Sequence, residues 1–452
     1  MRYLPHTPEQ IESMLKRIGV PSIDALFAPI PESVRMKGPL GIGLGLDERR
    51  LMTHLEALAD RNTGTRALSF LGAGMYDHHI PPLVDQLLLR GEFYTAYTPY
   101  QAEVAQGTLQ AIFEFQTIVS ELFGLPIANA SMYDASSAAA EAVLMARRLT
   151  KKHRILVSAG LHPEDIEVMH AYLQGLPGGL EAIEVVPLAG DGTTAPVTVG
   201  DDVAAVVVGY PNFYGVVEDV KKLADTAHAK GALLVTVTHE AYALAVIESP
   251  GALGADIAVG EGQSVALPPQ GGGPGVGLFA CREGRDYLQQ IPGRLCGETV
   301  DKHGERGYVL TLSTREQHIR RDRATSNICT NHSLCALAMA IRMSLLGKVG
   351  FVQVAEQCLA KAEYLKQSLV ATGEWELPYG AVTFNEFVVR SKAGPIAPLL
   401  KKLEGEGIIA GVPLMRFSGI GGTNNSSDRD LLIAVTEKHD RADLDRLVKA
   451  LD

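Results

Sequence analysis

The chain has 452 residues, 46% of them hydrophobic, which is enough to fill cores for two domains of ordinary size. Its 41 Lys and Arg are scattered against 52 Asp and Glu, for a net charge of −11. That balance excludes the basic face with which a nucleic-acid binder displaces counterions. No apolar run nears the roughly 20 residues of a bilayer span, and the start MRYLPHTPEQ has no apolar signal core. The five cysteines (Cys281, Cys296, Cys329, Cys335, Cys358) form no C-x-x-C pair. The expectation is a soluble cytoplasmic protein with reduced thiols, no bound metal, no nucleic-acid partner and no membrane association.

Helical signals come first along the chain. Thr7 is placed to cap a helix that has Pro8 in its first turn, Gln10 closing a capping box and Gly19 ending it. A Pro-rich connector follows, and then a second helical stretch at 47–62, so residues 1–65 read as a helical arm that packs on another surface. In that connector, GIGLG at 41–45 lacks the preceding strand that a dinucleotide-binding loop needs, and reads as a turn.

From about residue 66 strands and helices alternate. Residues 103–124 place Val104, Leu109, Ile112, Phe113, Val119 and Leu122 at helical spacing, and a second helix begins at SSAAAEAV. Short β-branched runs at 154–159, 181–188, 204–210, 232–238, 255–260 and 275–282 are separated by amphipathic stretches. This pattern predicts an α/β fold with a mainly parallel sheet covered on both faces, over residues 66–330. Residues 331–452 read as a smaller α+β domain, with two helices meeting near Gly347, strands at 381–390 and 430–437, and a final helix.

Five segments carry candidate chemistry. LGAGMYDHHIPP (71–82) sets Asp77, His78 and His79 side by side; the histidines cannot both face one metal, leaving a hydrogen-bonding or proton-transfer role, or a structural turn. FYTAYTPYQAE (93–103) carries Tyr94, Thr95, Tyr97, Thr98 and Tyr100 on a loop, either a binding surface or packing between domains. SMYDASSAAAEA (131–142) has small residues at a helix start, where N–H groups can meet a phosphate, but the Asp134 carboxylate would repel one and favours simple capping. TREQHIRRDRATSNICTN (314–331) gathers Arg315, Arg320, Arg321 and Arg323 with Ser326 and Asn327, either an anion grip or a solvated basic turn. GADIAVGEGQSVALPPQGGGPGVGLFACR (254–282) runs from a strand through Gln263 and Ser264 to a glycine-rich turn and another strand.

Taken together, FLGAGMYDHHIP, YTAYTPYQAEVAQGTLQAIFEFQT, IANASMYDASSAAAEA, PNFYG, GADIAVGEGQS with GGGPG, and REQHIRR with ATSNICTN resemble the glycine cleavage system P-protein in its split form. The length fits the shorter, N-terminal-type subunit. The resemblance implies an aminotransferase-like architecture (pyridoxal-phosphate fold type I). Such an enzyme holds its cofactor through a lysine at a strand end and an acidic partner for the pyridine nitrogen. No lysine occurs between Lys230 and Lys302; Gln263 and Ser264 stand where active relatives have His-Lys, and Thr236, Thr238 and His239 where an aspartate is expected. The resemblance therefore implies that pyridoxal phosphate is carried by a C-terminal-type partner subunit, in a hetero-oligomer resembling α2β2. This chain would complete the partner's site through Asp77, His78, His79, Tyr94, Thr95, Tyr97, Thr98, Tyr100, Ser326 and Asn327. The implied reaction is decarboxylation of glycine, with the aminomethyl group passed to lipoylated H-protein. Two other readings stay open: a non-catalytic scaffold, and a stand-alone pyridoxal-phosphate aminotransferase or lyase.

Overall fold

The run Val203–Gly209 is buried at every residue, which only a central strand covered on both faces requires. The structure, a computed structural model, describes residues 5–328, 330–422 and 427–452; Cys329 lies outside the described residues. The chain forms two compact units, one ending at Thr63 and the other Gly64–Asp452.

In the N-terminal unit, α1 (Pro8–Ile18) has the expected Thr7–Gln10 capping box and ends at Gly19, whose φ of 86° suits glycine. Helix α2 (Glu48–Ala59) is capped by Asp47. Neither helix has a buried side chain. The GIGLG segment is an exposed irregular stretch that bends at Gly41, with no strand before it.

The second unit opens with β1 (Leu68–Ser69), which pairs in parallel with Ile408–Ile409. Helices α3 (Pro82–Leu88), α4 (Gly91–Tyr94) and α5 (Gln106–Phe123) follow. Helix α5 buries Leu109, Ile112, Phe115, Val119 and Leu122. Val104, expected on that face, is 81% exposed, because it ends a separate 3-10 turn before the α-helical phase begins. The main sheet contains β2 (Ile127–Ala128), β3 (Arg154–Ser158), β4 (Ile183–Val186), β5 (Val203–Gly209), β6 (Leu233–Thr238), β7 (Ile257–Glu261) and β8 (Gly277–Cys281). Its seven strands run in the order β2-β8-β7-β6-β5-β3-β4. The block from β7 to β4 is parallel, and β8 is antiparallel to both of its neighbours. Helices α6 (Ala135–Thr150) and α7 (Pro163–Leu173) cover one face, packing Ala139, Val143 and Ile166 onto Val157, Val207 and Val237. Helix α8 (Val220–His228) and α5 cover the other.

A four-stranded antiparallel sheet is built from Trp375–Glu376, Glu386–Ser391, Asp430–Ala434 and Val412–Pro413. Its core joins Trp375, Phe387 and Ile433 to Leu403, Leu444 and Leu365 from three helices. The span Ser333–Thr372 is two helices in series, broken at Gly347 (φ 57°, ψ 179°) as its sequence anticipates. By length and composition it could cross a membrane, which the absence of a long apolar run had not led us to expect. Here its apolar side chains are divided between two cores, and Arg342 is buried midway along the first arm.

Candidate functional site

Parallel strands deliver their loops to one edge of the sheet, and that edge is where open α/β sheets place ligands. Here β3 leads to His162, β5 to Asn212 and Phe213, and β6 to His239 and Glu240. The segment after β1 crosses this edge and brings Tyr76 onto Gln263. Gln263 Oε1 accepts the Tyr76 N–H at 3.2 Å, while its amide donates to the Tyr76 and Leu267 carbonyls at 3.2 and 2.6 Å. Ser264 Oγ donates to Glu240 Oε1 at 2.8 Å. Both side chains are buried and engaged within the chain.

The same edge is dense with ionisable groups. His239 Nε2 lies 2.8 Å from Asp165 Oδ2, and Asp165 Oδ1 accepts the Ser136 hydroxyl at 2.6 Å. Burial opposes charge on His239, but Asp165 lifts its pKa to about 9. His162 stacks beside it at 4.9 Å, with one nitrogen 3.0 Å from the Ala73 carbonyl and the other accepting the Glu164 N–H. That pattern is a neutral imidazole, and burial together with the His239 charge lowers its pKa. Glu386, from the small sheet, accepts the Ala73 N–H at 2.7 Å and the Tyr76 hydroxyl at 2.8 Å. Burial raises its pKa to about 7. Gly215 permits this closure: a Cβ there would lie 1.8 Å from the Glu386 carbonyl oxygen.

Between these groups remains a cavity of about 20 Å³, lined by Tyr76, His162, Phe213, His239 and Glu386, among others. That is room for about one water. The adjoining N-terminus of α6 is also filled. Asp134 caps the Ser137 N–H at 2.7 Å, as expected, and the buried Glu261 accepts N–H groups from Ala135, Gln263 and Val276 at 3.1, 3.0 and 2.6 Å. Helix-terminal donors that could have met a phosphate already meet carboxylates.

His78 lies inside the fold with Nε2 2.8 Å from Glu240 and Nδ1 2.6 Å from Glu437. Burial pulls its pKa down, yet Glu240, Cys358 and Glu437 together hold it well above the ordinary value. It is a charged bridge between two carboxylates. Asp77 pairs with Lys438 at 2.5 Å, and His79 is exposed, with its backbone N–H on Glu437.

A second cavity, of about 450 Å³, is lined by Tyr94, Tyr97 and Thr98 on one side and by Asn331, His332 and Leu337 on another, with Ile112 and Phe115 among its apolar residues. Tyr94, Tyr97 and Tyr100 are 61%, 81% and 62% exposed. Tyr94 ends α4, and Thr95 donates to the Gly91 carbonyl at 2.6 Å, so the loop proper starts later than expected. Ser326 donates to the buried Glu141 at 2.6 Å, and Asn327 is exposed; neither lines this cavity. Arg315, expected as an anion grip, is buried and donates to the Ile291 and Gly293 carbonyls.

The model of the family described as glycine cleavage system P-protein matches residues 1–451. The chain belongs to that family. It is 59% identical over 456 residues to a probable glycine dehydrogenase (decarboxylating) subunit 1 of Sorangium cellulosum, covering 100% of this chain and 99% of the relative. The protein of the same description from Phenylobacterium zucineum is 50% identical, with 100% of each covered. Among solved structures, a glycine decarboxylase (P-protein) of the glycine cleavage system in inhibitor-bound form superposes with a TM-score of 0.87 at 42% identity, over 100% of this chain and 99% of that one. A glutamate decarboxylase of Lactobacillus brevis, at 15% identity and a TM-score of 0.68 over 94% and 96% of the two chains, shares the fold alone. The architecture is thus the aminotransferase-like, pyridoxal-phosphate fold type I expected from the sequence, and the P-protein to which the chain belongs is a pyridoxal-phosphate system with a partner subunit.

Within this P-protein chain, sequence reasoning missed Glu240, Glu386, Glu437, His162 and Arg294. Each acts across a long sequence separation, such as the 310 residues between Tyr76 and Glu386, and no local pattern marks such pairs.

Proposed function

We propose that this chain is the N-terminal-type subunit of a two-subunit glycine decarboxylase, glycine dehydrogenase (aminomethyl-transferring), and is active only with a C-terminal-type subunit that carries pyridoxal phosphate. The observation that carries this is the closed strand edge: Gln263 and Ser264 are spent on Tyr76, Leu267 and Glu240, and the space left is about 20 Å³. The residues present do not fit that cofactor. They offer no lysine from 231 to 301, and they set the carboxylates of Asp134 and Glu261 where its phosphate would need donors. A stand-alone aminotransferase or lyase is not supported by such a site.

On this reading the complex, resembling α2β2 and cytoplasmic, decarboxylates glycine and hands the aminomethyl group to lipoylated H-protein. This chain contributes surface to the partner's site. Of its candidates, Tyr94 and Tyr97 beside the 450 Å³ cavity are best placed, since they combine exposure with hydroxyl groups, and Thr98 lies half-buried next to them. Asp77, His78 and His79 serve it through the fold, and Ser326 and Asn327 lie off that cavity.

The test is visible absorbance and glycine–bicarbonate exchange, on this chain alone and mixed with its C-terminal-type subunit. A colourless, inactive chain that gains both on mixing supports the proposal. Colour and turnover from this chain alone would overturn it. The scaffold reading is distinguished by substituting Tyr97 in the assembled complex: a pure scaffold keeps full exchange.

A further inference from the structure

The Tyr/Thr loop is exposed at its tip yet tied down at its base by one side chain. Arg294 is 6% exposed and donates to Thr98 Oγ1 at 3.0 Å and to the Tyr100 hydroxyl at 3.3 Å, with its guanidinium carbon 5.4 Å from the centre of the Tyr100 ring. Glu316 stands 3.8 Å from its Nε. The backbone behind it is fixed as well: the Arg294 carbonyl accepts the Ala130 N–H at 2.9 Å, and Arg315 donates to the carbonyls of Ile291 and Gly293 just upstream. The Ala130 carbonyl in turn accepts from Asn331 Nδ2 at 2.6 Å, so both walls of the larger cavity hang on one short stretch of backbone.

We propose that Arg294 is a positioning residue for the complex, which presets the Tyr97-bearing loop before the partner's site is completed. The proposal rests on the reading that this loop serves that site. A planar fork holds two hydroxyl acceptors at once and lies against a ring, which a lysine ammonium cannot reproduce. A loop held in advance loses less order when a site is assembled around it, and small misplacements of a positioning group are costly in rate.

The experiment uses the chain reconstituted with its C-terminal-type subunit and compares Arg294→Gln, Arg294→Lys, Arg294→Ala and Tyr97→Ala. The expected result for Arg294→Gln is a fall in kcat for exchange of on the order of tenfold to a hundredfold, with KM for glycine changed by less than about threefold. Subunit affinity by sedimentation should stay at the wild-type value, Arg294→Lys should remain impaired, and added guanidinium ion should restore part of the rate to Arg294→Ala. If Arg294→Gln or Arg294→Lys keeps kcat within about twofold while Tyr97→Ala loses it, the loop matters but Arg294 does not position it, and the proposal is overturned. If Tyr97→Ala also keeps full exchange, the loop's role fails first and the clamp has no purpose. Should the Arg294 variants not fold, the double variant Thr98→Val/Tyr100→Phe removes both acceptors, and the same fall in kcat is expected; an unchanged rate there overturns the proposal.

Discussion

The Ser264 hydroxyl donates a hydrogen bond to Glu240 Oε1 at 2.8 Å, and both side chains are buried. Glu240 also faces His78 at 2.8 Å, so Ser264, which the proposed function sets in the place of a Schiff-base lysine, is one end of a buried chain of polar contacts. Restoring one residue should not restore the function of a site rebuilt around its replacement.

Ser264→Lys is therefore expected to stay colourless with pyridoxal phosphate. Ser264 is buried, so the longer side chain must displace packed neighbours, and overpacking of this kind costs about 1–3 kcal/mol. Absorbance and thermal unfolding of the variant check both statements. An aldimine band would show that the edge is more adaptable than its packing implies.

His78→Leu should be among the most destabilising single changes. It leaves Glu240 and Glu437, whose side chains are 3% and 12% exposed, facing each other without a cation. Breaking a buried ion pair from one side costs about 3–5 kcal/mol. Denaturant unfolding, read through the buried Trp375, the one tryptophan of the chain, gives the value.

Asp165 and His239 predict an alkaline loss of stability. The folded pKa of His239, about 9, lies above its ordinary 6.5, so the contribution is complete below about 6.5 and fades as pH rises through about 9. Full loss would amount to about 3 kcal/mol. His78, also raised, adds to the decline in the same direction. Asp165→Asn should flatten the slope between pH 6.5 and 9; an unchanged slope would assign it to other groups.

Tyr97→Ala separates stability from function. At 81% exposure the side chain contributes little to the fold, and unfolding should shift by no more than about 0.5 kcal/mol. In the assembled complex, exchange should fall by about tenfold or more if the ring reaches the partner's site. Activity at the wild-type level would favour the scaffold reading.

The main sheet was legible because a doubly covered parallel strand leaves a continuous apolar run, as in Val203–Gly209, which needs no partner to be recognised. The α1 and α6 caps were legible for a similar reason, since Thr7 with Gln10 and Asp134 with Ser137 act within four residues. Val104 was misplaced because helical spacing continues on paper through a 3-10 turn that breaks its phase. The site was only half legible. The missing lysine is visible in the sequence, but what fills its place is not: Tyr76 reaches Gln263 from 187 residues away, and Glu437 reaches His78 from 359. Arg294 gave no signal, because an arginine after a Pro-Gly turn looks like any solvated charge until its acceptors, 194 and 196 residues upstream, are seen.

The closed strand edge has a consequence for supply as well as for chemistry. A protein that binds a cofactor is stabilised in proportion to the logarithm of its concentration, so its survival tracks the cofactor pool. On the proposed function, this subunit, whose own side chains fill that place, gains nothing from the pool and loses nothing when it empties. Its thermal unfolding should be indifferent to added pyridoxal phosphate, and its abundance should persist through a shortage, ready to pair when loaded partner reappears.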